Sequence, residues 1–208
     1  MLKGIILGIG FLAVGCSHPQ GGTERIKRIV ELPEPDKEER LAYEANYPKI
    51  NDVKKEAYCE LTALCVHDEK ERAEINRFIE TLRDYDGDED YLTTLNYFMS
   101  FLDARRFHFI MRMDWKVEVE ELEWLLRTTL KKHYNLSLNL PDPTRYGQDA
   151  SVSATSVFED FNRILGEKGL QLGFIDTQSD EYIALLHRVK DRKRVEKAVK
   201  NIGYAYYE

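Results

Sequence analysis

Carboxylates in alternation, and carboxylates at strand ends beside histidines, are the residues of this chain whose types and spacing bear on chemistry. Asp84, Asp86 and Asp88 occupy alternate positions in Asp84-Tyr85-Asp86-Gly87-Asp88, like the first three ligands of a calcium-binding EF-hand loop. The sixth position is Glu89 instead of the turn-permitting Gly, and the twelfth is Leu95 instead of a bidentate Glu. An acidic loop between helices, its charge favouring the next helix N-terminus, explains the same residues. A second set is Asp114, Asp176 and Asp180, each at the end of a predicted strand, with His108 and His187 in strands. Carboxylate and imidazole brought together run acid–base chemistry; dispersed, they are turn formers and satisfied polar groups. None of the histidines His67, His108, His133 and His187 has a partner three or four residues away, and HExxH and CxxC are absent. No G-x-S-x-G elbow or phosphate loop exists either, so the sequence assigns no catalytic residue, no metal and no cofactor.

Charge narrows the partners. The 208 residues carry a formal net charge of −7, which argues against nucleic acid, whose binding rests on cations at phosphate. One stretch opposes the trend: Arg188 to Lys200 holds seven Lys or Arg against Asp191 and Glu196, a local +5. A solvated helix face accounts for it, and so does docking to anionic lipid or an acidic protein. On the second reading Arg192, Lys193, Arg194 and Lys197 supply the charge, with Tyr204 and Tyr206 as aromatic anchors.

Cysteine chemistry points to location. Met1–Gly15 has a short n-region with Lys3, an apolar core from Gly4 to Val14, and small Gly15 before Cys16. About 12 apolar residues make a signal-peptide core but fall short of the roughly 20 that span a bilayer. Leu12-Ala13-Val14-Gly15-Cys16 resembles a bacterial lipobox, with Ala13 where many carry Leu. The resemblance implies cleavage of residues 1–15 and lipidation of Cys16, placing the chain on a membrane of the cell envelope. Ser17 after the cysteine resembles outer-membrane sorting in diderm bacteria, facing the periplasm. Cys59 and Cys65 remain, six residues apart on one predicted helix. They are then about 9 Å apart along the axis, beyond disulfide reach, and read as free core thiols.

The elements that position these residues follow from periodicity. Residues 16–50, rich in Gly, Pro and charge, read as a tether, with Ile26–Leu32 as a short ordered exception. A single domain spans 51–208, helical over 51–104 and sheet-containing over 105–208. Apolar spacing predicts helices over Asn51–Val66, Glu69–Arg83 and Glu89–Leu102. Arg106–Met113 alternates, with Phe107, Phe109, Met111 and Met113 on one side and Ile110 on the polar one. Helix Trp115–Tyr134, turn-rich 135–152 and helix Ala154–Lys168 follow, the last stopped by Gly169. Strands Leu170–Asp176 and Glu181–Val189, a helix capped by Asp191, and a strand over Tyr204–Tyr207 complete the chain. The class is α+β, a mainly antiparallel sheet of about four strands in a ferredoxin-like split β-α-β arrangement. Its helices would share one face, with the N-terminal helices packed alongside.

Asp114-Trp115-Lys116 after an alternating strand, a Glu-rich helix with Trp124, and Asp180-Glu181-Tyr182 opening an apolar strand are similar to an uncharacterised bacterial domain family. The resemblance covers about Leu95–Glu208 and implies a compact α+β domain, with no activity attached. Two expectations emerge. The first is an envelope lipoprotein that binds a protein partner without catalysis, for example an immunity or assembly factor. The alternative is an enzyme built on the strand-end carboxylates and histidines.

Overall fold

A computed structural model describes residues 46–85 and 93–208. Cys16, the tether up to residue 45, and Asp86 and Asp88 lie outside the described residues. Three helices come first. α1 (Asp52–Cys65) starts where Asn51 Oδ1 accepts the Lys54 amide at 2.9 Å, and α2 (Glu69–Ile79) where Asp68 does the same for Glu71. α3 (Thr94–Arg105) is capped by Thr93 and ends on Arg106 in the left-handed region. Then come β1 (Ile110–Asp114), α4 (Val119–Tyr134), α5 (Val157–Gly166), β2 (Leu170–Asp176), β3 (Glu181–Arg188), α6 (Arg192–Asn201) and β4 (Ala205–Tyr207). Gly169, expected to stop α5, has φ +66, a conformation a side chain disfavours.

The sheet order is β1-β3-β2-β4, with every neighbouring pair antiparallel. β1 and β2 therefore run the same way with β3 between them, which is the split β-α-β arrangement; β3 and β4 repeat it around β2. The last strand lies at the β2 edge, away from β1, whereas a ferredoxin-like sheet sets it beside the first strand. This has a geometric consequence. The two crossovers step in one direction across the sheet but leave from strands that run oppositely. Sharing the usual right hand, they deliver their helices to opposite faces.

Two cores result, and they correct the expectation of helices on one face. Met111, Met113, Leu172, Phe174, Ala184 and Leu186 pack under α4 and α5. Ile110, Ile175, Ile183 and Leu185 pack against α1, α2, α3 and α6. Ile110, expected on a polar side, is thus buried, while Phe107 and Phe109 precede the strand and join the second of these cores. The N-terminal helices are the cover of a sheet face, not an appendage.

Tyr206 ties the short β4 to the body of the sheet. Tyr206 pairs across from Ile175, and its ring lies over Gly173, where an added Cβ would meet ring atoms at 2.3–2.5 Å. Its hydroxyl reaches buried His187, with 2.7 Å between Tyr206 Oη and Nε2. His187 Nδ1 sits 2.9 Å from the Arg188 carbonyl, which only accepts, so Nδ1 carries the proton and Nε2 accepts from the phenol. Burial lowers the pKa of His187 and keeps it neutral in this role. Gly173→Ala should cost about 1–3 kcal/mol by overpacking. In a Tyr206→Ala background the same change should cost little, as urea denaturation of the four proteins would show. An undiminished cost in that background would sink the contact.

α4 carries a second buried imidazole. His133 is 2% exposed, neither ring nitrogen has a hydrogen-bond partner among the described residues, and Nδ1 is 4.0 Å from Glu71 Oε2. Burial first, then the charge of Lys132, pushes its pKa down to about 4. The unfolded chain takes up this proton below about pH 6.5 and the folded chain does not, so stability falls as pH drops from about 6.5 to 4. The loss is about 2 kcal/mol from this group between pH 7 and pH 4.5, read from urea denaturation at the two pH values. His133→Leu should flatten that dependence without lowering stability at pH 7, because it removes two unsatisfied nitrogens.

Candidate functional site

Because β1 and β2 are parallel to each other, their C-terminal ends share one edge of the sheet, and β3 begins there. Asp114 stands in register with Glu181, and Asp176 with Ala205 at the start of β4. Each aspartate folds the chain after it. Asp114 Oδ1 accepts the Lys116 amide at 2.8 Å and Asp176 Oδ1 the Gln178 amide at 2.9 Å, two side-chain-closed turns at equivalent strand ends. The first turn delays α4 from the expected Trp115 to Val119 and leaves Trp115 at the sheet end, 44% exposed. In the second, Gln178 takes φ 57 and the Thr177 and Ser179 hydroxyls bond at 2.8 Å, which steadies the β2–β3 loop.

Between these turns lies an open cleft of about 410 Å³, lined by Trp115, Ser153, Asp176, Asp180, Glu181, Tyr182 and Tyr207 among others. Three rings line it, those of Trp115, Tyr182 and Tyr207, and two of them rest on rings outside the lining: Tyr207 stacks on Phe174 with centroids 5.1 Å apart, and Tyr182 meets Phe158 edge-on at 5.0 Å. Tyr207 stays 42% exposed. Partial burial, with Asp176 nearby, holds its phenol above the usual pKa, so it offers a proton at neutral pH.

The expected acid–base set divides. Asp114, Asp176 and Asp180 gather at this end, while His108 precedes β1 and His187 closes β3 at the other. His187 lies six residues along β3 from Glu181, about 20 Å of strand. Asp84, the described member of the acidic alternation, is held by Lys54 Nζ at 3.1 and 3.0 Å from its two oxygens. Among the described residues no group of three or more His, Cys, Asp or Glu is placed to hold a metal ion.

The basic run is partly neutralised where it folds. Arg194 Nε pairs with Glu60 Oε1 at 2.8 Å across to α1, and Arg192 with Glu208 at 2.5 Å. Lys193 and Lys197 have no ion pair among the described residues, and Lys197 borders a groove of about 390 Å³ between α1 and α6. Asp191 makes no side-chain cap; it ends a short 3-10 turn and faces Arg194 at 3.6 Å. Tyr204 and Tyr206 turn toward the α1–α3 core, leaving Tyr207 as the outward tyrosine of the C-terminus. Period-two alternation contained that signal, since adjacent residues of a strand face opposite ways.

With the site in view, likeness to known families can be placed beside it. A family model described as Domain of unknown function (DUF6630) matches residues 42–208. The chain belongs to this family. No curated protein and no solved structure matches it. The DUF6630 match begins well before Leu95, so α1 and α2 are part of the domain, as their burial of the sheet requires. The cleft lies wholly inside the DUF6630 match, whereas Cys16 lies outside it.

The two thiols of the DUF6630 domain are free, Cys65 buried and Cys59 half-buried. Burial pushes Cys65 up to about 12 and Cys59 upward as well. A thiol reagent at pH 8 should label Cys59 slowly and leave Cys65 unmodified until urea unfolds the chain, by mass of the labelled protein. Equal labelling of both in the folded state would contradict this burial.

Proposed function

We propose that the protein is a lipid-anchored envelope protein that binds another protein through its folded domain without catalysing a reaction. The observation that carries the binding role is the strand-end cleft, where the exposed rings of Trp115 and Tyr207 line the wall together with Tyr182. Large amphipathic rings, here one on β4 and one in the side-chain-closed turn after β1, are what interface hot spots are made of, since they cover area at low entropic cost. The anchoring role rests on Met1–Cys16. No helix of the described residues is long and apolar enough to cross a membrane. The enzyme alternative sets these carboxylates beside His108 and His187, and both histidines lie at the far end of the sheet.

Two measurements on cells test the two halves. Wild type should sediment with membranes and Cys16→Ser should move to the soluble fraction; wild type in the soluble fraction would remove the anchor. In-cell crosslinking should capture a stoichiometric partner, and Trp115→Ala combined with Tyr207→Ala should cut its yield at least about fivefold with the melting temperature little changed. Capture that ignores both substitutions would move the interface elsewhere.

A further inference from the structure

The cleft carries charge as well as rings, and its wall is acidic. Elsewhere on the described surface some carboxylates meet cations, as Glu60 meets Arg194, Glu71 meets Lys132, Asp103 meets Arg112, and Asp160 meets Arg145 and Arg163, while others such as Glu69, Glu167 and Glu196 have no ion pair among the described residues. At the cleft, Asp176, Asp180 and Glu181 line the wall and Asp114 stands across from Glu181. None of these four has an ion-pair partner among the described residues. The rings accept cations too, as Lys116 Nζ shows by sitting 4.8 Å from the Trp115 centroid.

We infer that the cleft is the docking site for a basic segment of the partner protein, an arginine side chain lying against the Trp115 and Tyr207 rings and pairing with the Asp176, Asp180 and Glu181 carboxylates. Arginine suits this wall better than lysine. Its flat guanidinium stacks on an aromatic face and presents parallel N–H groups to carboxylate oxygens at once, whereas an ammonium is a compact, strongly hydrated charge. The cleft is open on one side, which admits a side chain carried on a peptide backbone. Recognition of this kind brings no proton transfer and needs no imidazole. The inference rests on the reading of the protein as a binding module and gives that module its partner chemistry.

The test uses the full chain in mild detergent with Trp124→Phe, which leaves Trp115 as the sole indole of the two in the sequence. Titration with a short peptide of alternating Arg and Ser should change Trp115 fluorescence saturably, and added salt should weaken the binding. Asp176→Asn, Asp180→Asn and Glu181→Gln together should weaken it about tenfold or more. Glu69→Gln, Glu167→Gln and Glu196→Gln, an equal charge change on exposed sites outside the cleft, should leave it within about twofold. Should the first triple variant fold poorly, Asp180→Asn alone, in the exposed loop, should weaken binding several-fold. A Lys-Ser peptide should bind several-fold more weakly than the Arg-Ser one. Equal weakening by both triple variants would reduce the effect to bulk charge and overturn the site. A lack of saturable change would also overturn it, as would the same change produced by millimolar calcium alone. If partner capture in cells still depended on Trp115 while the Arg-Ser peptide failed to bind, the binding-module reading would stand and the basic occupant would be removed.

Discussion

The fold depends on β3 being buried on both faces. Ile183, Ala184, Leu185, Leu186 and His187 are each at or below 1% exposure. A strand apolar on both sides cannot lie on one helical layer with its other side in water, because burial of each large apolar side chain is worth about 1.5–3 kcal/mol. Two layers of helices are therefore required, and the chain supplies them from different places. α4 and α5 come from the first crossover, α6 from the second, and α1 to α3 from the N-terminal part. A domain of this length has enough chain for a three-layer arrangement and no need of disulfides to hold it.

The C-terminal strand links that core to the surface. β4 has three residues, too few to hold an edge by ladder bonds alone. It is held by Tyr206 across Gly173 to His187, an aromatic ring filling the place a glycine leaves in the pleat. The next residue, Tyr207, must then face the other way, onto Phe174 and the cleft. A one-residue slip in register would exchange the two tyrosines. The contact that secures the edge is thus the same contact that orients a ring at the candidate site.

Charge follows a parallel division. Along α1, α2, α5 and α6, carboxylates and cations are neighbours, and their ion pairs are exposed and individually weak. Asp114, Asp176, Asp180 and Glu181 are brought to one end by strand direction, and none of the four has an ion-pair partner among the described residues. One of these pairs, Arg163 with Asp160, is three residues apart on one helix, while Arg194 with Glu60 and Arg105 with Glu74 join separate helices. Strand ends meet only through long-range topology, so charge balance there is not built in by the local sequence.

Much of the fold was legible in the sequence. Helical and alternating periodicity marked the helices and strands, Asn51 and Gly169 marked boundaries, and the four residues Thr177–Asp180 implied the β2–β3 hairpin. These are local properties, since a cap, a turn or a 3.6-residue repeat is written in neighbouring residues. Three features were not legible. Alternation showed that β1 has two different sides, but not that Ile110 would be covered as well as Met111. The spacing that predicted a helix from Trp115 missed the Asp114 turn that holds this indole at the rim. The lone His133 gave no sign that it would be buried without a partner. By itself the sequence determined the elements, the free thiols and the acidic balance. The tertiary structure decided the edge taken by β4, the covering of both sheet faces and the meeting of Trp115, Tyr207 and the strand-end carboxylates, because each depends on pairing between segments far apart in the chain.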